Sequence, residues 1–294
     1  MPEQPLKTRV PTPFTFSQSS LQDYVDCARR FQLRYIEQLQ WPAVETAPVL
    51  ENERRQLEGQ QFHRMAQQSL LGLPADKLAK MANTGNLSRW WQNFTNPDLT
   101  GLPGLAAKAG KNLSGLNLYP ELTLSAPIGQ HRLLAKYDLV ALQNRTTAQP
   151  DNQATIYDWK TSLKRPKNEW MAARLQTKVY RALLAEAGKH LNGGAPIQPE
   201  QIEMVYWYTE FPSEPANFRY DNAQHKRDWD NLVKLVSEIS AKQSYPMTDD
   251  EKKCAYCLYR SYCERGTRAG EGEETETELT DAEITLEQIQ EIEF

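Results

Sequence analysis

The sequence predicts an α/β fold, a sheet-containing core with a helical elaboration on its N-terminal side. Three observations predict it. Apolar residues recur at helical spacing through residues 17–94, the period switches to strand-like alternation between residues 118 and 162, and helix, strand and helix patterns follow in turn. The chain of 294 residues is 39% hydrophobic and 24% charged, enough for a sizeable core in one large domain or two small ones.

Each element has its own signal. Residues 1–16 carry four prolines and read as an extended leader. Ser17 or Ser19 can cap a first helix running to about Leu39, with Leu21, Tyr24, Val25, Ala28, Phe31, Tyr35 and Leu39 on helical spacing. A second helix is expected over Glu51–Leu71 and a third over Asp76–Phe94. Residues 96–117 are rich in Gly and turn formers and read as a loop. Residues 118–129, 132–142 and 154–162 read as three strands, the last two joined by the polar run "QNRTTAQPDNQ". A long helix, Asn168–Ala187, is stopped at Gly188. A strand over 202–210 and a helix over Asn222–Gln243 lead into a cysteine cluster.

Charge is distributed unevenly. Glu271–Phe294 holds ten acidic residues and no Lys or Arg, so the net −4 of the chain leaves residues 1–270 at +6. The tail suits a solvated disordered segment. It also ends in Ile284, Leu286, Ile289, Ile292 and Phe294, with Thr280 and Glu283 spaced as a capping box, the pattern of a short amphipathic helix. The mildly basic body permits a nucleic-acid partner. No apolar run reaches the length of a membrane span, and the N-terminus has no apolar signal region, so a cytoplasmic protein without a membrane partner is expected. No G-x4-G-K-[ST] pattern occurs, so no helicase motor is expected in this chain.

The chemistry concentrates in "TIYDWKTS", residues 155–162. Alternation along a strand puts Ile156, Asp158 and Lys160 on one face, and Tyr157, Trp159 and Thr161 on the other. Burying an acid beside an amine is costly and adds little net stability. An isolated D-x-K also suits an edge-strand salt bridge, so the functional reading rests on companions. Asp138 interrupts the apolar strand "LLAKYDLVAL". His63 sits on a predicted helix in "EGQQFHRM". Gln176 and Tyr180 are one turn apart on the helix that follows the D-x-K strand.

This ordered set resembles the PD-(D/E)XK nuclease superfamily in its RecB-like branch. "GQQFH" is similar to that branch's G-x-x-x-H helix, "AKYDLV" to its G-R-I-D strand with Ala for Gly and Lys for Arg, "YDWKTS" to D-x-K-T, and "QTKVY" to Q-x-x-x-Y. "PELTLSAPIG" resembles the strand preceding the first acidic motif, with Glu121 as its supporting acid. The resemblance spans residues 17–265, the expected nuclease domain between the leader and an acidic tail at 266–294. It implies a restriction-endonuclease-like core and a DNA nuclease dependent on Mg or Mn, acting on single-stranded DNA or DNA ends. Repair, recombination or defence is the implied setting, with a helicase, repair or CRISPR protein as further partner. CRISPR spacer processing and a non-catalytic DNA-binding scaffold are the alternatives. The implied metal ligands are His63, Asp138, Asp158 and the Trp159 carbonyl. Lys160 would activate water and stabilise developing charge, with Gln176 and Tyr180 in support.

All four cysteines look committed. Cys254, Cys257 and Cys263 form C-x2-C-x5-C, and Cys27 stands alone 227 residues before Cys254. Four thiolates can hold zinc or an iron–sulfur cluster. The spacing is similar to the iron–sulfur clasp of AddB-type nuclease domains and CRISPR-associated RecB-like exonucleases, which implies a structural [4Fe–4S] cluster, with zinc as the alternative. Tyr256, Tyr259 and Tyr262, beside Arg260 and Arg265, either shield such a cluster or stack on bases.

Overall fold

The computed structural model describes residues 9–41, 47–96, 116–143 and 153–266. The expected acidic-tail helix, the core of the 96–117 loop and most of the "QNRTTAQPDNQ" connection lie outside these residues. At the N-terminal end, Thr15–Ser17 forms β1, so the last residues of the expected leader join the sheet. Ser17 then caps α1 (Gln18–Asp26) in a capping box with Ser20.

The first helix is not continuous to Leu39 as expected. It breaks at Cys27, whose backbone is extended, and resumes as α2 (Ala28–Phe31) and a π-helical turn over Gln32–Ile36. Buried Asp23 accounts for the fold-back: it pairs with Arg30 at 2.7 Å and Arg34 at 3.2 Å, and the Tyr35 hydroxyl donates to it at 3.1 Å. A long helix, α3 (Ala47–Leu70), follows. The expected third helix is two pieces, α4 (Ala75–Ala79) and α5 (Gly85–Thr95), because Thr84 leaves the helical backbone to cap α5.

Three strands come next, β2 (Leu116–Ile128), β3 (His131–Gln143) and β4 (Gln153–Lys160). The helix expected over 168–187 is split at Arg174, which is extended, into α6 (Asn168–Ala173) and α7 (Leu175–Ala187). Gly188 ends α7 as expected. Strands β5 (Ile202–Tyr208) and β6 (Ala216–Arg219) precede α8 (Asn222–Ala241), capped by Asp221. The short β1 and β6 lacked a sequence signal long enough to read.

The six strands form one mixed sheet in the order β1-β3-β4-β5-β6, with β2 antiparallel on the other edge of β3. β1 pairs with β3 over residues 132–134 and β4 with β3 over residues 139–143. Residues 135–138 therefore lie in a split between two neighbours on one edge. At the same level Glu121 in β2 adopts a positive φ of 54°, and the ladder pairs Leu122 with Tyr137 and Pro120 with Leu139 but skips Asp138. The face of β3 turns over here. Leu133, Ala135 and Tyr137 pack in one core with α1, α7 and α8, while Leu139 packs in the other with Phe62, Trp90, Phe94, Trp159 and Trp207. The sheet is thus covered on one face by α1, α7 and α8 and on the other by α3–α5. No helix among the described residues is long and apolar enough to cross a membrane.

Candidate active site

The split in the sheet is where the expected residues gather. Beyond Tyr157, β4 leaves β3 and runs on beside β5 alone, so the Trp159 amide has no β3 partner. Its N–H donates instead to Asp138 Oδ2 at 2.7 Å. The other oxygen of Asp138 lies 3.1 Å from His63 Nδ1. A carboxylate oxygen only accepts, so Nδ1 carries a proton; in the neutral ring Nε2 is then the lone-pair nitrogen, the tautomer of a metal-ligating imidazole.

Gly59 explains how α3 comes close enough. A Cβ on Gly59 would meet Thr161 Oγ1 at 2.9 Å, so with any larger residue Thr161 or the helix must shift where α3 lies against the end of β4. His63 follows one turn later and faces Asp138. This is the physical content of the G-x-x-x-H spacing.

On the other face of β4, Asp158 and Lys160 are buried, 3% and 9% exposed. Lys160 Nζ lies 3.0 Å from Asp158 Oδ2 and donates to Gln176 Oε1 at 3.0 Å, while Gln176 Nε2 donates to Asp158 Oδ1 at 2.8 Å. One amide thus binds both charges. The break at Arg174 starts α7 just before Gln176 and sets this residue against the strand.

Tyr180, one turn on, packs its ring 4.8 Å from that of Tyr137, whose hydroxyl donates to the Tyr180 carbonyl at 2.9 Å. Trp159 faces Trp207 in the β4–β5 ladder, with its ring buried beneath α5. Glu121 pairs with Lys136, the residue standing where the related motif has Arg. Burial raises the Glu121 carboxyl above its ordinary range and nearby Asp138 adds to the rise, against Lys136 and His63. Glu121 is therefore electrostatically part of the site.

Sequence reasoning missed Tyr206 and Thr177. The Tyr206 hydroxyl lies 2.8 Å from Thr177 Oγ1 and 3.4 Å from Gln176 Oε1, and its ring stands 5.3 Å from Lys160 Nζ. The signal was present: β5 lays Tyr206 beside Asp158 and Tyr208 beside Lys160. Reading it required knowing that β4 and β5 are parallel neighbours.

The donor types, carboxylate oxygens with an imidazole nitrogen, fit a hard divalent cation. In the arrangement described, these groups satisfy one another. Among the described residues, no group of three or more His, Cys, Asp or Glu is arranged to hold a metal ion.

The four cysteines are free thiols lining one pocket, together with Arg30, Tyr259 and Arg260. Burial raises the thiols of Cys254, Cys257 and Cys263, and each of the three also feels Cys27 across the pocket. The surrounding aromatics hold residues 39–41 against residues 259–262. The Tyr259 hydroxyl donates to the Leu39 carbonyl at 2.9 Å, Trp41 Nε1 donates to Ser261 Oγ at 2.8 Å, and Trp41 packs on Tyr262.

A mixed sheet flanked by helices, with D-x-K at the end of an inner strand, defines a restriction-endonuclease-like α/β class. Residues 15–264 match the family model of the PD-(D/E)XK nuclease superfamily, and the chain belongs to that superfamily. It is accordingly a nuclease of the metal-dependent hydrolase kind. Among solved structures, a candidate exonuclease from Eubacterium rectale aligns over 80% of this chain and 84% of its own at 11% identity, with a TM-score of 0.43. No curated protein matches the chain.

Proposed function

We propose that the protein is a deoxyribonuclease of the RecB-like branch, hydrolysing phosphodiester bonds in single-stranded DNA or at DNA ends. The observation that carries this reading is the buried Asp158–Lys160–Gln176 triangle beside the His63–Asp138 pair. A buried ion pair is expensive to desolvate, and here it ends a strand at a split in the sheet.

His63, Asp138, Asp158 and the Trp159 carbonyl would hold Mg or Mn, with Glu121 in support. When bound, the ion neutralises a phosphate oxygen and makes a bound water more acidic. The chain's own groups do the rest. The Lys160 ammonium orients the attacking water and offsets the negative charge that develops on the phosphoryl oxygens. Gln176 fixes the Lys160 amine and the Asp158 carboxylate through one hydrogen bond to each. Tyr206 and Thr177 buttress Gln176, and Tyr180 anchors the same helix on Tyr137.

The same reading includes a structural [4Fe–4S] cluster on Cys27, Cys254, Cys257 and Cys263, supported by their shared pocket. Zinc is the alternative, and a cytoplasmic repair, recombination or defence setting is the implied context. Anaerobically purified protein is expected to be brown with iron and sulfide in similar amounts; colourless protein with stoichiometric zinc overturns the cluster and leaves the nuclease standing.

End-labelled single-stranded and duplex DNA, incubated with Mg²⁺, Mn²⁺ or chelator, tests the activity. Metal-dependent shortening that Lys160→Ala lowers by about 10²–10⁴-fold supports the proposal. Equal cleavage by wild type and Lys160→Ala at matched purity overturns the assigned site.

A further inference from the structure

The segment between the D-x-K strand and α7 is not used by the chemistry above, yet it is unusually exposed and basic. Residues 162–174 contain Lys164, Arg165, Lys167 and Arg174 against one acid, Glu169. Trp170 on α6 is 43% exposed, and Leu163 47%. The Arg174 guanidinium lies 5.5 Å from the Trp170 ring centre, which leaves an exposed indole already stacked with a cation.

The segment is tied to the catalytic strand by Tyr208. Tyr208 pairs with Lys160 across the β4–β5 ladder, and the Arg165 guanidinium stands 5.7 Å from its ring centre. The phenol is 1% exposed, and its hydroxyl has no hydrogen-bond partner among the described residues. Burial raises the Tyr208 hydroxyl pKa, and the charges of Lys160, Arg165 and Arg174 act on it against that of Asp158. The buried ring is the base on which the Arg165 guanidinium rests, beside the catalytic strand.

We infer that Arg165, Arg174 and Trp170 form a strand-holding subsite for single-stranded DNA, in which a base stacks on Trp170 and a backbone phosphate flanking the scissile one is met by the two arginines. This rests on the nuclease reading and adds to it the path of the substrate. The occupant follows from the surface: cations complement phosphates, and an exposed indole offers a stacking platform that bases buried in a duplex cannot use. In a duplex the bases are already stacked on one another, so the Trp170 contribution belongs to unpaired strands.

The test uses the full chain and a fluorescent single-stranded oligodeoxynucleotide, with binding measured in chelator and cleavage measured separately in Mg²⁺. Trp170→Ala is expected to weaken single-strand binding about tenfold, or about 1.4 kcal/mol, and to leave duplex binding unchanged. Trp170→Phe keeps a stacking face and should restore most of the loss. An oligonucleotide series with one abasic position moved along the strand separates stacking from a structural effect. One abasic position should weaken wild type while leaving Trp170→Ala unaffected.

Equal single-strand affinities for wild type and Trp170→Ala overturn the inference, as does a Trp170→Ala loss that is the same on every abasic oligonucleotide. Failure of wild type to cleave DNA in Mg²⁺ instead counts against the nuclease reading itself. The two failures are read in different assays.

Discussion

Lys160 is held by two partners, and the residue that matters most for its placement is Gln176. Gln176 reaches both Lys160 and Asp158 from a neighbouring helix, so removing its amide leaves two buried charges to find new geometry. Gln176→Ala is expected to lower kcat by about 10²-fold with KM little changed, since a misplaced catalytic group costs rate rather than affinity. Single-turnover and steady-state kinetics on end-labelled DNA check this; a pure KM effect would contradict the positioning role. Gly59 gives a second prediction of a different kind. Gly59→Ala improves helix propensity but drives a methyl to 2.9 Å from Thr161 Oγ1. The clash wins, and a destabilisation of about 1–3 kcal/mol is expected in denaturant unfolding, together with reduced activity as α3 and His63 move away from Asp138. A variant as stable as wild type would show that α3 can shift without cost.

Between elements, His131 is the clearest joint. It lies at the start of β3, its Nδ1 accepts from the Phe14 N–H at 3.2 Å, and its Nε2–H donates to Ser240 Oγ at 2.9 Å on α8. Ser240 passes its own proton to the Val236 carbonyl at 2.6 Å, so the chain of bonds requires a neutral ring. Burial lowers the His131 pKa below its usual 6.5. The unfolded chain then binds the proton more readily than the folded one. The stability this joint contributes is present above about pH 6.5 and is lost as pH falls through the lowered folded value. Thermal midpoints measured across that range should fall more steeply for wild type than for His131→Gln; parallel curves would assign the titration to another group. At this scale the sequence was read well for strands and less well for helix continuity. Alternation located β2, β3, β4 and β5 within about two residues, because each has a face to bury. The breaks at Cys27, Thr84 and Arg174 left no trace in the apolar period, since the same face stays buried on both sides of each break. Their causes are tertiary or capping interactions: the Asp23–Arg30 pair, the Thr84 cap, and the contact of Gln176 with β4. The candidate residues His63, Asp138, Asp158, Lys160 and Gln176 were legible from motif order, and the structure sets His63 against Asp138 and Gln176 against Asp158 and Lys160. Tyr206, Thr177 and Trp170 were not singled out, because their relevance depends on which strands and helices become neighbours.

Across the molecule, the cysteine pocket joins α1 to the last described segment. The contacts of Trp41 with Ser261 and of Tyr259 with Leu39 fasten the same two regions without any sulfur. Cys27→Ser is therefore expected to lower the thermal midpoint by several degrees without unfolding the nuclease core, and to abolish any bound iron. Retained iron at wild-type levels, measured by elemental analysis, would remove Cys27 from the pocket's role. The positions of the cysteines along the chain also impose an order on biosynthesis. At about 5–20 residues per second, Cys27 emerges from the ribosome roughly 10–50 s before Cys257 can join it. The half-made polypeptide thus carries one thiol with none of its three companions, and a cluster or zinc ion held by all four, as proposed above, would be completed only after translation has passed Cys263.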